Sequence, residues 1–194
     1  LSDEENYEDK TMLDYSAGEI TTEEARELMK TINDELHDDI VTFYAGVSYR
    51  HLLVWDKGSI NVKLTPPHDI TGRKVTEYVP NHANAEKLFD MMKKSYEILK
   101  DHPVNVARRE KGLNPANSLW IWGQGKKPQL SSFYDKYQIN GATISAVDLI
   151  KGIGVCAGLE TIDVEGATGT IHTNFDGKAE AAIEALQTMT AATC

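Results

Sequence analysis

Cysteine is scarce in this chain. Only Cys156 and Cys194 occur, far apart and with no CxxC spacing, so no disulfide framework or thiolate zinc cage is on offer and both read as free thiols of a reducing compartment. Long apolar runs are lacking too: no stretch approaches the roughly 20 residues that cross a bilayer, and no basic-then-apolar leader opens the chain, which points to a cytoplasmic protein. Positive charge is the minority sign. The 20 Lys and Arg against 30 Asp and Glu leave a net charge of −10, which disfavours nucleic acid or an anionic membrane as partner and obliges any anionic ligand to find a local basic pocket. The histidines His37, His51, His68, His82, His102 and His172 show no HExxH or His-x-His spacing, so no metal cage is expected from these residues. There is no Walker-type G-K-[ST] at the right spacing, no GxSxG elbow, no internal repeat and no low-complexity segment.

What is present is ordinary for a soluble globular chain: 194 residues, 41% hydrophobic and 26% charged, enough for one domain or two small ones with a buried core. The first residue is Leu rather than Met, which suggests a processed or excised chain. Residues 1–10 are acidic and polar, a linker or frayed entry. Thr11–Ala17 alternates like a strand. Thr21 or Thr22 caps a helix with Glu23 and Glu24 in its first turn and an apolar stripe of Ala25, Leu28, Met29, Ile32 and Leu36. Ile40–Tyr49 and Arg50–Trp55 read as strands, with Asp56-Lys57-Gly58-Ser59 turning into a further strand Ile60–Leu64. Ala83–Lys100 is a helix with Leu88, Met91, Met92, Tyr96 and Leu99 inward, stopped by His102-Pro103, and Val104–Gly112 is a second, short one. Later come a short helix Leu130–Tyr137, a strand Ala142–Ala146, a helix Val147–Leu159, a strand Thr161–Val164 and a final helix Lys178–Thr188. Strand, helix, strand, helix with short links is a parallel α/β pattern, whereas the first two-thirds reads as an α+β unit. The change of character falls near residue 118.

At that change stands Asn117–Leu130. A short apolar strand, Leu119-Trp120-Ile121-Trp122, runs into a loop where Gly123 and Gly125 let the backbone approach a ligand and Lys126 and Lys127 bring positive charge. Strand followed by flexible cationic loop is a phosphate-site layout, although a strand ending in a glycine turn is also common punctuation. Three further clusters carry ionisable groups. Arg50-His51 opens an interior-looking strand, where an unpaired Arg would be costly to desolvate. Its plainer reading is a salt bridge, and for His51 a hydrogen-bonded core histidine. His68-Asp69 with Arg73 follows paired prolines that could present them rigidly, or serve only as a turn stabiliser. Lys151, in D-L-I-K-G-I-G, lies on a helix whose glycines permit close packing or ligand approach, or is a solvated helix charge. Gly166–Gly169 is equally well a glycine-eased link. Together these groups supply Arg, His and Lys for a small polyanion, and His/Asp pairs able to move protons near neutral pH.

The motifs D-Y-S-A-G-E-I-T-T-E-E-A (14–25), Y-R-H-L-L-V (49–54), P-P-H-D-I-T-G-R (66–73), A-N-S-L-W-I-W-G-Q-G-K-K-P (116–128), I-S-A-V-D-L-I-K-G-I-G (144–154) and G-A-T-G-T-I-H-T-N-F-D-G-K-A (166–179) follow one another along nearly the whole chain. In that order they resemble the archaeal-type branch of the 2,3-bisphosphoglycerate-independent phosphoglycerate mutases, within the alkaline phosphatase superfamily of metalloenzymes. The resemblance implies an isomerase of glycolysis and gluconeogenesis that interconverts 3-phosphoglycerate and 2-phosphoglycerate. It implies a serine that takes the phosphoryl group, and two divalent cations that activate it: manganese, with zinc, cobalt or magnesium as variants. It also implies an inserted domain that holds the glycerate and closes over it, excluding water. The fold class expected is α/β. Residues 1–12 would be a linker, 13–117 an inserted α+β domain with an antiparallel sheet and helices, and 118–194 part of a parallel α/β phosphatase-like domain. Carried onto matching positions, Arg50 and Arg73 are expected as anion clamps and His68 and Asp69 as the proton-transfer pair, with His51 as a second acid/base candidate. Lys126 and Lys151 lie on the phosphatase-domain side as substrate-binding candidates.

The departures from the family pattern are the amino-terminal segment with the metal-binding aspartate and nucleophilic serine, and the D-E-A-G-H type segment with the later metal ligands. The family also tends to carry Asp or Asn where this chain has His172. The expectation is therefore an internal fragment, inactive alone, with no metal bound by its own residues, whose partners are a phosphorylated glycerate and the rest of the phosphatase-like domain. A non-catalytic module or pseudoenzyme that senses a phosphorylated metabolite, and an enzyme acting on another phosphorylated hydroxy acid, remain alternatives.

Overall fold

Thr21 behaves as the sequence asks: its side chain accepts the Glu24 backbone N–H and starts helix α1, Thr22–Leu36, whose first turn carries Glu23 and Glu24 against the positive end of the helix dipole. The predicted stripe of Ala25, Leu28, Met29 and Ile32 is buried. It meets strand β1, Val41–Ala45, which pairs antiparallel with β2, His51–Trp55, Val41 opposite Trp55 and Ala45 opposite His51. Helix α2, Glu86–Leu99, brings Leu88, Met91 and Leu99 to the same cluster, and α3, Pro103–Glu110, starts on the His102 side chain with proline in its first turn. The computed structural model describes residues 1–191; Cys194, half of the free-thiol expectation, lies outside them, and Cys156 is free.

The chain divides into two compact units, Leu1–Lys126 and Lys127–Cys194. In the first, a second core cluster of Tyr7, Met12, Ile70, Val75, Val79, Met92 and Tyr96 adjoins the chain around residues 66–79. Three expected strands are not formed. Thr11–Ala17 contributes one isolated bridge, Thr11 to Lys74, before bending into a turn, and Ile60–Leu64 has no ladder. Leu119–Trp122 forms no strand, and the Leu119 N–H donates instead to a side chain, Ser95 Oγ, at 2.8 Å. That stretch packs Leu119, Trp120 and Ile121 onto the first unit's cores, so the unit continues past the change of character at residue 118 to Lys126.

In the second unit, α4, Phe133–Tyr137, precedes strand β3, Ala142–Ile144, helix α5, Asp148–Cys156, strand β4, Glu160–Ile162, and helix α6, Phe175–Ala191. β3 and β4 pair in parallel with α5 between them in sequence, the expected crossover. Gly154 is required here: a Cβ in its place would stand 2.2 Å from Thr143 Oγ1 and 3.0 Å from Thr143 Cβ. An α+β unit with an antiparallel sheet followed by parallel strands and helices is thus the observed α/β architecture. No helix among the described residues is long and apolar enough to cross a membrane.

Candidate functional site

The 3-10 turn Pro67–Ile70 explains how His68 and Asp69 come to the surface. Pro67 and Ile70 are buried at its ends and leave the two middle residues exposed. The segment is tied on one flank by Gly72 N–H to Met12 O, 2.7 Å, and Met12 N–H to Arg73 O, 3.0 Å. On the other, Trp120 Nε1 donates to Thr65 O at 2.8 Å and Gln124 Nε2 to Val62 O at 2.6 Å, which brings Trp122 alongside.

A chain of rings runs through the site. His68 makes T-shaped contacts with Trp122, centroids 5.3 Å apart, and with Tyr15, 6.0 Å; Tyr15 meets Tyr49 at 5.7 Å. Arg50 then lies over the Tyr49 ring, its guanidinium carbon 4.2 Å from the centroid, and donates to the Tyr49 hydroxyl at 2.7 Å. His68 Nε2 and Asp69 Oδ1 stand 3.7 Å apart, within ion-pair reach but longer than a hydrogen bond.

Tyr15 owes its place to an unusual turn. Ala17, Gly18 and Glu19 are consecutively left-handed, with φ of 50°, 67° and 55°. For the two non-glycine residues this costs about 1–3 kcal/mol each and persists only where surrounding contacts over-determine it. Those contacts are present. Asp14 accepts from Ser16 N–H and Oγ, both 2.8 Å, from Gly18 N–H at 2.6 Å and from Asn114 Nδ2 at 3.0 Å. Partial burial works to raise the Asp14 carboxyl pKa, but these hydrogen bonds, led by that from Asn114, prevail and hold it below the usual range. The buried Arg108 donates to Ala17 O and pairs with Glu24.

Of the residues singled out from the sequence, Arg50, His68 and Asp69 are gathered along this ring chain. Arg50 is exposed and precedes β2 rather than lying inside a strand, since the hairpin turns at residues 46–50 and not at 56–59. Neither a salt bridge nor burial holds it; the Tyr49 ring does. His51 Nδ1 accepts the Gly46 N–H at 3.3 Å, which fits a neutral ring, and desolvation by the surrounding chain pushes its pKa down to about 4 even though the residue is exposed at the surface. Arg73 donates to the Tyr78 hydroxyl at 3.3 Å and is otherwise exposed. Lys126 is exposed at the end of the first unit. Lys151 belongs to the second unit, where it pairs with Asp163. Sequence reading passed over Tyr15, Tyr49 and Trp122, each inside a quoted motif; the available signal was three aromatics bordering the ionisable clusters.

Among the described residues no three His, Cys, Asp or Glu side chains converge to hold a metal ion. The described side chains therefore do not by themselves assemble a site for the divalent cations that the family resemblance implies.

A family profile described as 2,3-bisphosphoglycerate-independent phosphoglycerate mutase matches residues 2–105. A probable enzyme of that description from Geobacter sulfurreducens is 51% identical over 176 residues, covering 91% of this chain and 44% of that protein. One from Methanosarcina barkeri is 53% identical over 176 residues, covering 90% and 44%. The chain thus spans less than half the length of these relatives. A cofactor-independent phosphoglycerate mutase from Thermoplasma acidophilum superposes with a TM-score of 0.53 at 27% identity, over 92% of this chain and 50% of that one. The structure of a Pyrococcus horikoshii protein gives 0.65 at 26% identity, over 91% and 42%.

Proposed function

This chain belongs to the 2,3-bisphosphoglycerate-independent phosphoglycerate mutase family, and we propose that it is the substrate-gripping part of such an enzyme, which interconverts 3-phosphoglycerate and 2-phosphoglycerate in the cytoplasm by way of a phosphoserine. The observation that carries this reading is the gathering of Arg50, His68 and Asp69 along one ring-lined surface beside an exposed basic loop, inside a family match. We assign residues 13–117 to the inserted domain and residues from 118 onward to part of the phosphatase-like domain, the compact first unit taking in residues 1–12 and 118–126 as well. The nucleophile and the divalent cations, manganese or a related ion, belong to the remainder of the parent protein, so this chain alone binds phosphoglycerate weakly and does not turn it over.

In this reading Arg50 and Arg73 neutralise the carboxylate and phosphate of the substrate. A guanidinium matches either group through two parallel N–H donors. Arg50 leaves the Tyr49 face to do so, exchanging its cation–π contact and its hydrogen bond to the Tyr49 hydroxyl for a charged pair. His68 gives a proton to the glycerate oxygen that loses the phosphoryl group to the serine and takes one back from the other hydroxyl when that attacks the phosphoserine, with Asp69 stabilising the imidazolium. Lys126, at the end of the first unit, and Lys151, which pairs with Asp163 in the second, are each a further candidate for the phosphoryl group. His51, held neutral, is the reserve base.

Conversion of 3-phosphoglycerate by the full-length parent, coupled to dehydration of the 2-phosphoglycerate formed, tests this. Arg50→Ala and Arg73→Ala raise KM by about tenfold or more, the worth of one charge-assisted contact. His68→Asn lowers kcat by about 10²–10⁴-fold. Binding without turnover in the intact parent would favour a pseudoenzyme, and wild-type kinetics in the folded arginine variants would remove those residues from the site.

A further inference from the structure

We infer that Tyr15 and Trp122 are positioning residues whose rings fix the orientation of the His68 imidazole; this rests on the role given to His68 above. No hydrogen bond holds that ring among the described residues, and its nearest charged neighbour, Asp69 Oδ1, is 3.7 Å from Nε2. A base on an exposed turn with no hydrogen bond samples its rotamers freely, yet proton transfer needs one of them. The T-shaped contacts of Trp122 and Tyr15, at interplanar angles of 79° and 71°, are what restrict it.

Burial does not explain either ring. Tyr15 is 44% and Trp122 47% exposed, and neither belongs to a core cluster. Both are nevertheless held firmly from behind. Tyr15 is presented by the left-handed turn at Ala17–Glu19, which Asp14 and Arg108 secure from outside that turn. Trp122 sits between two anchors, Trp120 Nε1 on Thr65 O and Gln124 Nε2 on Val62 O, both on the chain that leads into the His68 turn. Each ring thus rides on backbone fixed relative to His68 while contributing nothing to the cores. Trp122 also opens the glycine loop that ends in Lys126, so one residue links the base to the cationic loop.

The test is kinetics of the full-length enzyme carrying Tyr15→Ala, Tyr15→Phe, Trp122→Ala or Trp122→Phe, with His68→Asn alongside. The alanine variants are expected to lose about 10- to 100-fold in kcat, the scale of a misplaced catalytic group. KM should be little changed, because neither ring binds an anion, and the thermal midpoint should stay close to wild type. The phenylalanine variants keep a ring and should recover most of the lost kcat. In parallel, the His68 ring protons should lose their ring-current shifts in the alanine variants and retain them in the phenylalanine ones. Wild-type kcat in both alanine variants, or equal losses in alanine and phenylalanine, overturns the inference. If His68→Asn itself keeps its kcat, the role of His68 falls instead; if it loses kcat while the alanine variants do not, only the positioning role falls.

Discussion

Residues 1–126 and residues 127–194 treat their apolar side chains differently. In the first unit, the faces of α1, β1 and α2 meet and leave Ile32, Val41 and Met92 with no exposed surface. In the second, the buried positions among the described residues are Gly154 and Ala185, while Leu149 is 70% and Ile171 82% exposed. A parallel sheet is normally covered on both faces, and two strands with helices cannot supply that cover. The first unit owns its core, and the second leaves apolar side chains of α5 and α6 exposed. The site follows the same division: the ring chain and its ionisable groups lie on the self-contained unit, where fixed backbone can hold a geometry.

The sharpest way to break this contrast is to remove matched methyl groups from the two units. Ile32→Ala leaves a cavity in a closed core and is expected to cost about 2–5 kcal/mol in denaturant unfolding. Ile153→Ala, on a half-exposed face of α5, should stay within about 0.5 kcal/mol in this chain. Comparable losses at both positions would mean that the second unit is covered after all.

Gly154→Ala probes a tight helix–strand contact of the second unit and comes next in size. Overpacking against Thr143 costs about 1–3 kcal/mol, partly offset by about 1 kcal/mol of helix preference for alanine. Thr143→Ala removes the hydroxyl that a Cβ would meet at 2.2 Å, so the double variant should recover part of the loss, whether followed by denaturation or by hydrogen exchange of α5.

The helices were legible in the sequence because their signals are local. A capping threonine, an apolar stripe and a proline in the first turn located α1, α2 and α3 within a few residues, and the glycines of α5 marked its close approach to β3. The strands expected at 60–64 and 119–122 did not form, since an apolar run says nothing about whether a neighbour's backbone or a side chain such as Ser95 completes its hydrogen bonds. At the site, the ionisable residues announced themselves and the rings that join them did not. Their meeting depends on left-handed Ala17 and Glu19, which carry no sequence mark, unlike a glycine.

A smaller effect sharpens the electrostatic side of the first unit. The pKa of His51 lies near 4 in the fold against 6.5 when unfolded, so between those values the unfolded chain takes up a proton that the folded chain refuses. Stability is then fully present above about pH 6.5 and declines as the pH falls toward 4. Because His51 is exposed, solvent screens the effect and keeps this decline modest. His51→Gln should flatten that part of the pH dependence of the thermal midpoint; an unchanged slope would assign it to other groups.

The smallest effect belongs to the second unit. Lys151 and Asp163 form an ion pair whose carboxylate side is 82% exposed, and such pairs contribute about 0.2–1 kcal/mol. A double-mutant cycle of Lys151→Met and Asp163→Asn should give a coupling in that range that shrinks as salt rises, because an exposed partner is screened. If the pair matters only as a resting place for Lys151, Asp163→Asn should barely change the unfolding of this chain, yet alter how the intact enzyme responds to phosphate. A coupling that is large and insensitive to salt would instead make Lys151 a structural residue of the second unit, and would remove it as a substrate-binding candidate.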